Sequence, residues 1–148
     1  MPGPYDTPAG LIRFEHPLVH LAAAIPRRQV KIVAIGSSST QGVGASSAEW
    51  SYPSRLEMEL RQRYPSITLS VKNRGVGGQE AGDELARFQT DVIEENPALV
   101  IWQVGTNAVW KHYNLPQVAD DIRAGLRQVE DRPMDIVMMD LQYAPAVA

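Results

Sequence analysis

Four short apolar runs, each set off from the next by a stretch of helical spacing, constrain this chain more than any other feature. They are Val30 to Ile35, Ile67 to Val71, Ala98 to Val104 and Asp135 to Leu141. The clearest are near-continuous rather than alternating, as in Lys31-Ile32-Val33-Ala34-Ile35 and Leu99-Val100-Ile101-Trp102. A strand with one wet face alternates apolar and polar side chains, whereas a strand covered on both faces does not. The runs therefore read as strands of a sheet buried between two layers.

The intervening segments read as helices. Val118, Ile122, Leu126 and Val129 follow Pro116 at helical spacing, with Asn114 as a candidate cap. Tyr52, Leu56 and Leu60 mark a second helix that stops by Pro65. Leu85, Phe88 and Val92 mark a third, spanning about Glu80 to Glu95 and closed by Asn96-Pro97, and a fourth lies around Pro17 to Ala24. Strands that alternate with helices pair in parallel through right-handed crossovers. The expected fold is a three-layer α/β/α, doubly wound parallel sheet of the flavodoxin-like kind. Residues 1–14 read as an irregular amino-terminal segment and 15–148 as the domain, a length that suits one core.

Ligands of such sheets bind outside the carboxyl ends of the strands, so the loops after residues 35, 73, 104 and 141 are where function is expected. The first holds Gly36-Ser37-Ser38-Ser39-Thr40-Gln41-Gly42. A serine at a tight strand exit is placed to react, and the same hydroxyls also suit a turn that merely caps itself. The second holds Asn73-Arg74-Gly75-Val76-Gly77-Gly78-Gln79, whose three glycines let main-chain amides approach a ligand closely. Neither a Gly-Lys-Ser/Thr ending nor a Gly-x-Gly-x-x-Gly fingerprint fits it, which argues against nucleotide binding. The third, Gly105-Thr106-Asn107, offers a neutral amide donor that can face an oxyanion without titrating, or can brace a turn.

A serine, a glycine amide and an asparagine at three successive strand ends are the nucleophile and donors that acyl transfer requires. At these residues the chain resembles the SGNH (GDSL) hydrolase superfamily, whose blocks run Gly-Asp-Ser-x-Thr/Ser, Asn-x-Gly-x-x-Gly and Gly-x-Asn. The resemblance covers about residues 30 to 141 and implies an SGNH-type serine ester hydrolase. By position it implies Ser38 as nucleophile, with the N–H groups of Ser38 and Gly78 and the side chain of Asn107 as the oxyanion hole. The substrate it implies is a small-molecule, carbohydrate or lipid ester, with no cofactor and no metal. Three positions depart from the pattern: Ser37 stands in place of the usual aspartate, Ser39 in place of a common leucine, and Ala108 where an acid often follows the asparagine.

A serine hydroxyl needs a base to remove its proton. The family supplies a histidine, three residues after an aspartate, beyond a fifth strand, and no Asp-x-x-His occurs here. The chain stops at Tyr143-Ala144-Pro145-Ala146-Val147-Ala148, just after the fourth strand, so a domain truncated there is the expectation. The alternative to an esterase is then a catalytically incomplete or ligand-binding form of the same fold. Its uncovered fourth strand would invite self-association through the sheet edge. His112 is a surface-loop candidate for the base, and His16 and His20, spaced for a metal clamp, have Pro17 where a zinc protease has glutamate. Trp102 and Trp110 flank the third block, and Asp140 ends the fourth strand.

Composition narrows the partners. Fourteen basic and 17 acidic residues give a net charge of −3 without a basic cluster, which does not suit nucleic acid. Cysteine is absent, so thiolate chemistry and disulfides are excluded. No apolar run reaches the roughly 18 residues of a membrane span. Pro2, Pro4 and Pro8, with no basic start before an apolar stretch, do not read as a signal peptide, and the compartment stays open.

Overall fold

Three consecutive residues, Val33, Ala34 and Ile35, have no exposed surface at all, as in a strand covered on both faces and paired on both edges. The computed structural model describes residues 9–139 and Leu141. A 3₁₀ turn at Ala9–Ile12 lies within the segment expected to be irregular. After it come α1 (Val19–Ala24), β1 (Gln29–Gly36), α2 (Ser38–Gln41), α3 (Tyr52–Arg63), β2 (Thr68–Gly75) and α4 (Ala81–Ala86). β3 (Leu99–Gln103), α5 (Thr106–Trp110), α6 (Leu115–Glu130) and β4 (Asp135–Met139) complete the order. All four strands run parallel in the order β2-β1-β3-β4.

Alternation along β1 divides the core in two. Val33 and Ile35 pack with Phe88, Val92, Trp102, Val118 and Val129 on the face covered by α4 and α6. Val30 and Ile32 pack with Ala24, Leu69 and Leu99 on the opposite face, where Leu21 of α1 and Leu60 of α3 close over them. The sheet is thus sandwiched, as the near-continuous apolar runs of β1 and β3 require. The edge strands β2 and β4 are less buried. The Asn114 side chain accepts from Gln117 N–H and caps α6, as its position before Pro116 predicts.

Two expectations are corrected. The segment from Asn73 to Gly75, read as loop, is the end of β2, because Ala34, Ile35 and Gly36 of β1 remain paired with Asn73, Arg74 and Gly75. Gly75 permits this ending, since a Cβ there would stand 2.1 Å from Gln41 N in α2. The single helix expected over Glu80 to Glu95 is instead α4 followed by a π-helical turn at Gln89–Ile93. Arg87 leaves helical geometry between them (φ −109°, ψ 10°), while its guanidinium reaches Gln79 Oε1, Gly36 O and Asp91. The wider turn still keeps Phe88, Val92 and Ile93 in the core.

One acid is buried in that core. Glu84 has no exposed surface, and Trp102 Nε1–H donates to its Oε2 at 2.6 Å. Trp102 is itself wedged between the Phe88 ring, 4.8 Å away between centroids, and Gly125 of α6, where a Cβ would meet the indole at 2.6 Å. Burial pushes the Glu84 carboxyl up to about 7; the Trp102 hydrogen bond opposes the shift and nearby Glu80 adds to it.

The native state therefore holds the Glu84 proton more tightly than the unfolded chain, and ionisation costs stability as pH rises from about 4.5 through about 7. Glu84→Gln should remove a loss of up to about 3 kcal/mol over that window. Urea unfolding at pH 5 and pH 8 checks it: the variant should gain on wild type at pH 8, and parallel profiles would exclude the assignment. Gly75→Ala, which forces a side chain into the α2 backbone, should cost about 2–4 kcal/mol in the same assay.

Candidate active site

Strand order reverses between β1 and β3, the place where a doubly wound sheet opens a crevice. Gln103, the last residue of β3, spans it. Its side chain is buried, and its Oε1 accepts from Ser37 N–H (3.1 Å), Ser37 Oγ (3.2 Å) and Thr40 Oγ1 (3.2 Å). A backbone N–H can only donate, which fixes the oxygen end of the amide toward β1. Ser37 and Thr40 are buried by this arrangement, and Ser38 between them starts α2 partly exposed. Neither the hydroxyl nor the N–H of Ser38 donates to any described residue.

The loop after β2 lies against this turn. A Cβ on Gly77 would stand 3.8 Å from Ser38 Cβ. Its main-chain donors are almost fully used: Gly75 N–H goes to Asn73 Oδ1, Val76 N–H to Gly36 O and Gly77 N–H to Gln41 Oε1. Gln79 N–H goes to Val76 O, Glu80 N–H to Asp83 Oδ2 and Ala81 N–H to Glu80 Oε1. From 75 to 81, only Gly78 N–H donates to no described residue. Gly78 is exposed and holds φ +81°, a left-handed conformation natural to glycine.

The segment after β3 is fastened to that loop at three consecutive residues. Lys111 Nζ donates to Gly78 O at 2.8 Å, Asn107 Nδ2 to Gln79 O at 2.8 Å, and Gly105 N–H to Glu80 Oε1 at 3.0 Å. One of the two N–H bonds of the Asn107 amide is thereby used and the other remains. Glu80 is buried; it caps α4 in a reciprocal box with Asp83 while holding Gly105. Arg87 Nε donates to Gln79 Oε1 at 2.7 Å and its Nη2 to Gly36 O at 3.2 Å, which joins the second loop to the end of β1.

The segments that carry Ser38, Gly78 and Asn107 are thus joined by a single network. Gln103, Glu80, Arg87 and Lys111, which hold that network, carry no motif in sequence. The only hint is a polar residue inside an apolar run, as Gln103 is, or an acid on the inward face of a helix, as Glu84 is. The other candidates fall elsewhere. His112 is exposed with φ 56°. His20 lines a depression with Ala24, Gln29 and Pro97, among residues at the amino ends of β1 and β3. Among the described residues no group of three His, Cys, Asp or Glu side chains is placed to hold a metal. Asp140 lies outside the described residues. Trp102 is core and Trp110 is 60% exposed. Glu95 pairs with Lys31 and Arg74, which hold its carboxyl below its ordinary range. No helix among the described residues is long and apolar enough to cross a membrane.

Known proteins similar to this chain include esterases. The acetylxylan esterase of Geobacillus stearothermophilus is 33% identical over 94 residues, 57% of this chain and 43% of that protein. An arylesterase of Vibrio mimicus is 24% identical over 123 residues, 83% of this chain and 60% of that protein. A protein assigned to the G-D-S-L lipolytic family, from Desulfitobacterium hafniense DCB-2, superposes with a TM-score of 0.63 at 30% identity, over 74% of this chain and 58% of the other. The chain spans about half the length of the relatives it matches. The family model for the non-GDSL lipase-like family matches residues 4–148, and the chain belongs to that family, within the SGNH/GDSL hydrolase superfamily.

Proposed function

We propose that the protein is a serine ester hydrolase in which Ser38 is the nucleophile and the N–H groups of Ser38 and Gly78, with the Asn107 amide, form the oxyanion hole. The observation that carries this is the donor inventory of the second loop. From 75 to 81 the Gly78 N–H alone is left without a described acceptor, next in sequence to Gly77, which lies against a serine whose hydroxyl likewise donates to no described residue. An oxyanion hole needs donors that are rigidly held and not already engaged.

In this mechanism Ser38 Oγ attacks the ester carbonyl, its proton passes to a base, and the carbonyl oxygen becomes an oxyanion facing the three donors. Collapse expels the alcohol, which takes the proton, and water then releases the acid from the acyl-enzyme. The base is a histidine by family resemblance. Among the described residues no histidine hydrogen-bonds Ser38, so an Asp-x-x-His pair elsewhere in the full-length protein is part of the proposal. For the substrate we propose small acyl esters carried on carbohydrate, the class named for the Geobacillus relative. The exposed Trp110, one turn after Asn107, is a suitable platform for a sugar ring. The outer side of β4, unpaired among the described residues, is the edge through which the 148-residue chain would self-associate. A purely monomeric elution on size exclusion would remove that element.

In the full-length protein, Ser38→Ala should lower kcat for p-nitrophenyl acetate by about 10⁴-fold or more. Turnover retained by the variant would end the assignment, and a full-length wild type without esterase activity would favour the ligand-binding form of the fold. Gln103→Leu strips three buried donors of their acceptor and should cost about 2–4 kcal/mol of stability in urea unfolding. Gln103→Glu, which keeps an acceptor, should recover most of it.

A further inference from the structure

The second and third loops are joined by a grip whose charged member no motif accounts for. Asn107 and Lys111 lie four residues apart, at the start and the C-cap of α5. Their side chains take successive carbonyls of the glycine loop: Asn107 Nδ2 holds Gln79 O and Lys111 Nζ holds Gly78 O, each at 2.8 Å. Lys111 N–H also donates to Asn107 O at 2.8 Å, so the two gripping residues are fastened to each other.

The Gly78 carbonyl has reason to need this. Gly77 and Gly78 are both exposed, and neither has a Cβ to limit its backbone. Before Gly78 the chain is anchored by Gly77 N–H on Gln41 Oε1 at 2.7 Å. After it, the peptide that carries Gly78 O has one other tie, a long bond of 3.4 Å from Gln79 N–H to Val76 O. The ammonium supplies the short, charge-assisted bond on that side. It also stands 3.9 Å from the point a Gly78 Cβ would occupy, and 5.9 Å from the centroid of Tyr113, whose face attracts it.

We infer that Lys111 is a positioning residue for the oxyanion hole: by holding Gly78 O it fixes where the free Gly78 N–H stands relative to Ser38. The inference rests on the esterase assignment above. Lys111 touches no substrate in this role. Its effect falls on the transition state, where the carbonyl oxygen carries charge, and leaves ground-state binding alone. It is exposed, so its removal costs little of the fold.

The test uses the full-length protein and p-nitrophenyl acetate, with Ser38→Ala as reference. Lys111→Met keeps the apolar stem and removes the donor. It should lower kcat by roughly 10- to 50-fold, less than the loss of a hole donor itself, with KM within about twofold of wild type and the melting temperature unchanged. Lys111→Arg, which restores a cationic donor, should recover most of the loss. Four outcomes would overturn the inference: kcat unaltered in Lys111→Met, a rise in KM alone, a loss that tracks a fall in melting temperature, or Lys111→Arg no better than Lys111→Met. Where wild type is active and Ser38→Ala is dead, those outcomes strike Lys111 only. Where Ser38→Ala matches wild type, the esterase assignment itself fails.

Discussion

One buried amide oxygen ties together the two strands on which everything else depends. β1 and β3 are neighbours, but the chain leaves β1 on one side of the sheet and reaches β3 only after crossing to the other. Their carboxyl ends therefore meet without any local chain connection to fix the spacing. The ladder sets it as far as Ile35 and Trp102, and past the ladder Gln103 Oε1 joins the two exits by accepting from Ser37 N–H, Ser37 Oγ and Thr40 Oγ1. Buried donors left unpaired cost more than the bonds they form are worth, so this contact specifies one arrangement of the turn that presents Ser38.

The second loop is then held from both sides. Toward β1 it is tied by Val76 N–H on Gly36 O, Gly77 N–H on Gln41 Oε1 and the Arg87 bridge. Toward β3 it is tied through residues 78, 79 and 80 in succession. A glycine-rich segment is costly to order because its unfolded states are so many. Here each bond offsets part of that cost, and the Gly78 N–H is left over. Preorganisation of a donor amounts to this: its neighbours are satisfied and it is not.

The strands were legible because burial on both faces leaves a dense apolar signal, which Val30 to Ile35 and Leu99 to Trp102 carry in full. The ends of β2 were not, because Asn73, Arg74 and Gly75 have the composition of a loop and are strand only by pairing with β1. Helical spacing found Phe88 and Val92 in the core but not the turn before them, where Glu84 is fully buried and Leu85 only half-buried, and it could not show the break at Arg87, whose departure from the helix goes with contacts 8 and 51 residues distant in sequence. The short helices α2 and α5 have too few turns to show a period. The candidate triplet was legible because it sits at three strand ends in order. Its supports were not, since Gln103, Glu80 and Lys111 act across long sequence separations and belong to no local pattern.

The departure of the first block from Gly-Asp-Ser has a physical account in the same amide. Ser37 gives Gln103 Oε1 two donors, its N–H and its hydroxyl. An aspartate at 37 would set a carboxylate oxygen against that acceptor. The amide could not turn its nitrogen toward the carboxylate without leaving the Ser37 N–H unpaired in a buried position. A neutral hydroxyl avoids both costs, and Thr40, with no exposed surface, completes the acceptor's third bond. Serine at 37 and glutamine at 103 are therefore one feature, not two. The strand end that carries Ser38 is held by neutral hydrogen bonds where the more familiar block places a charge.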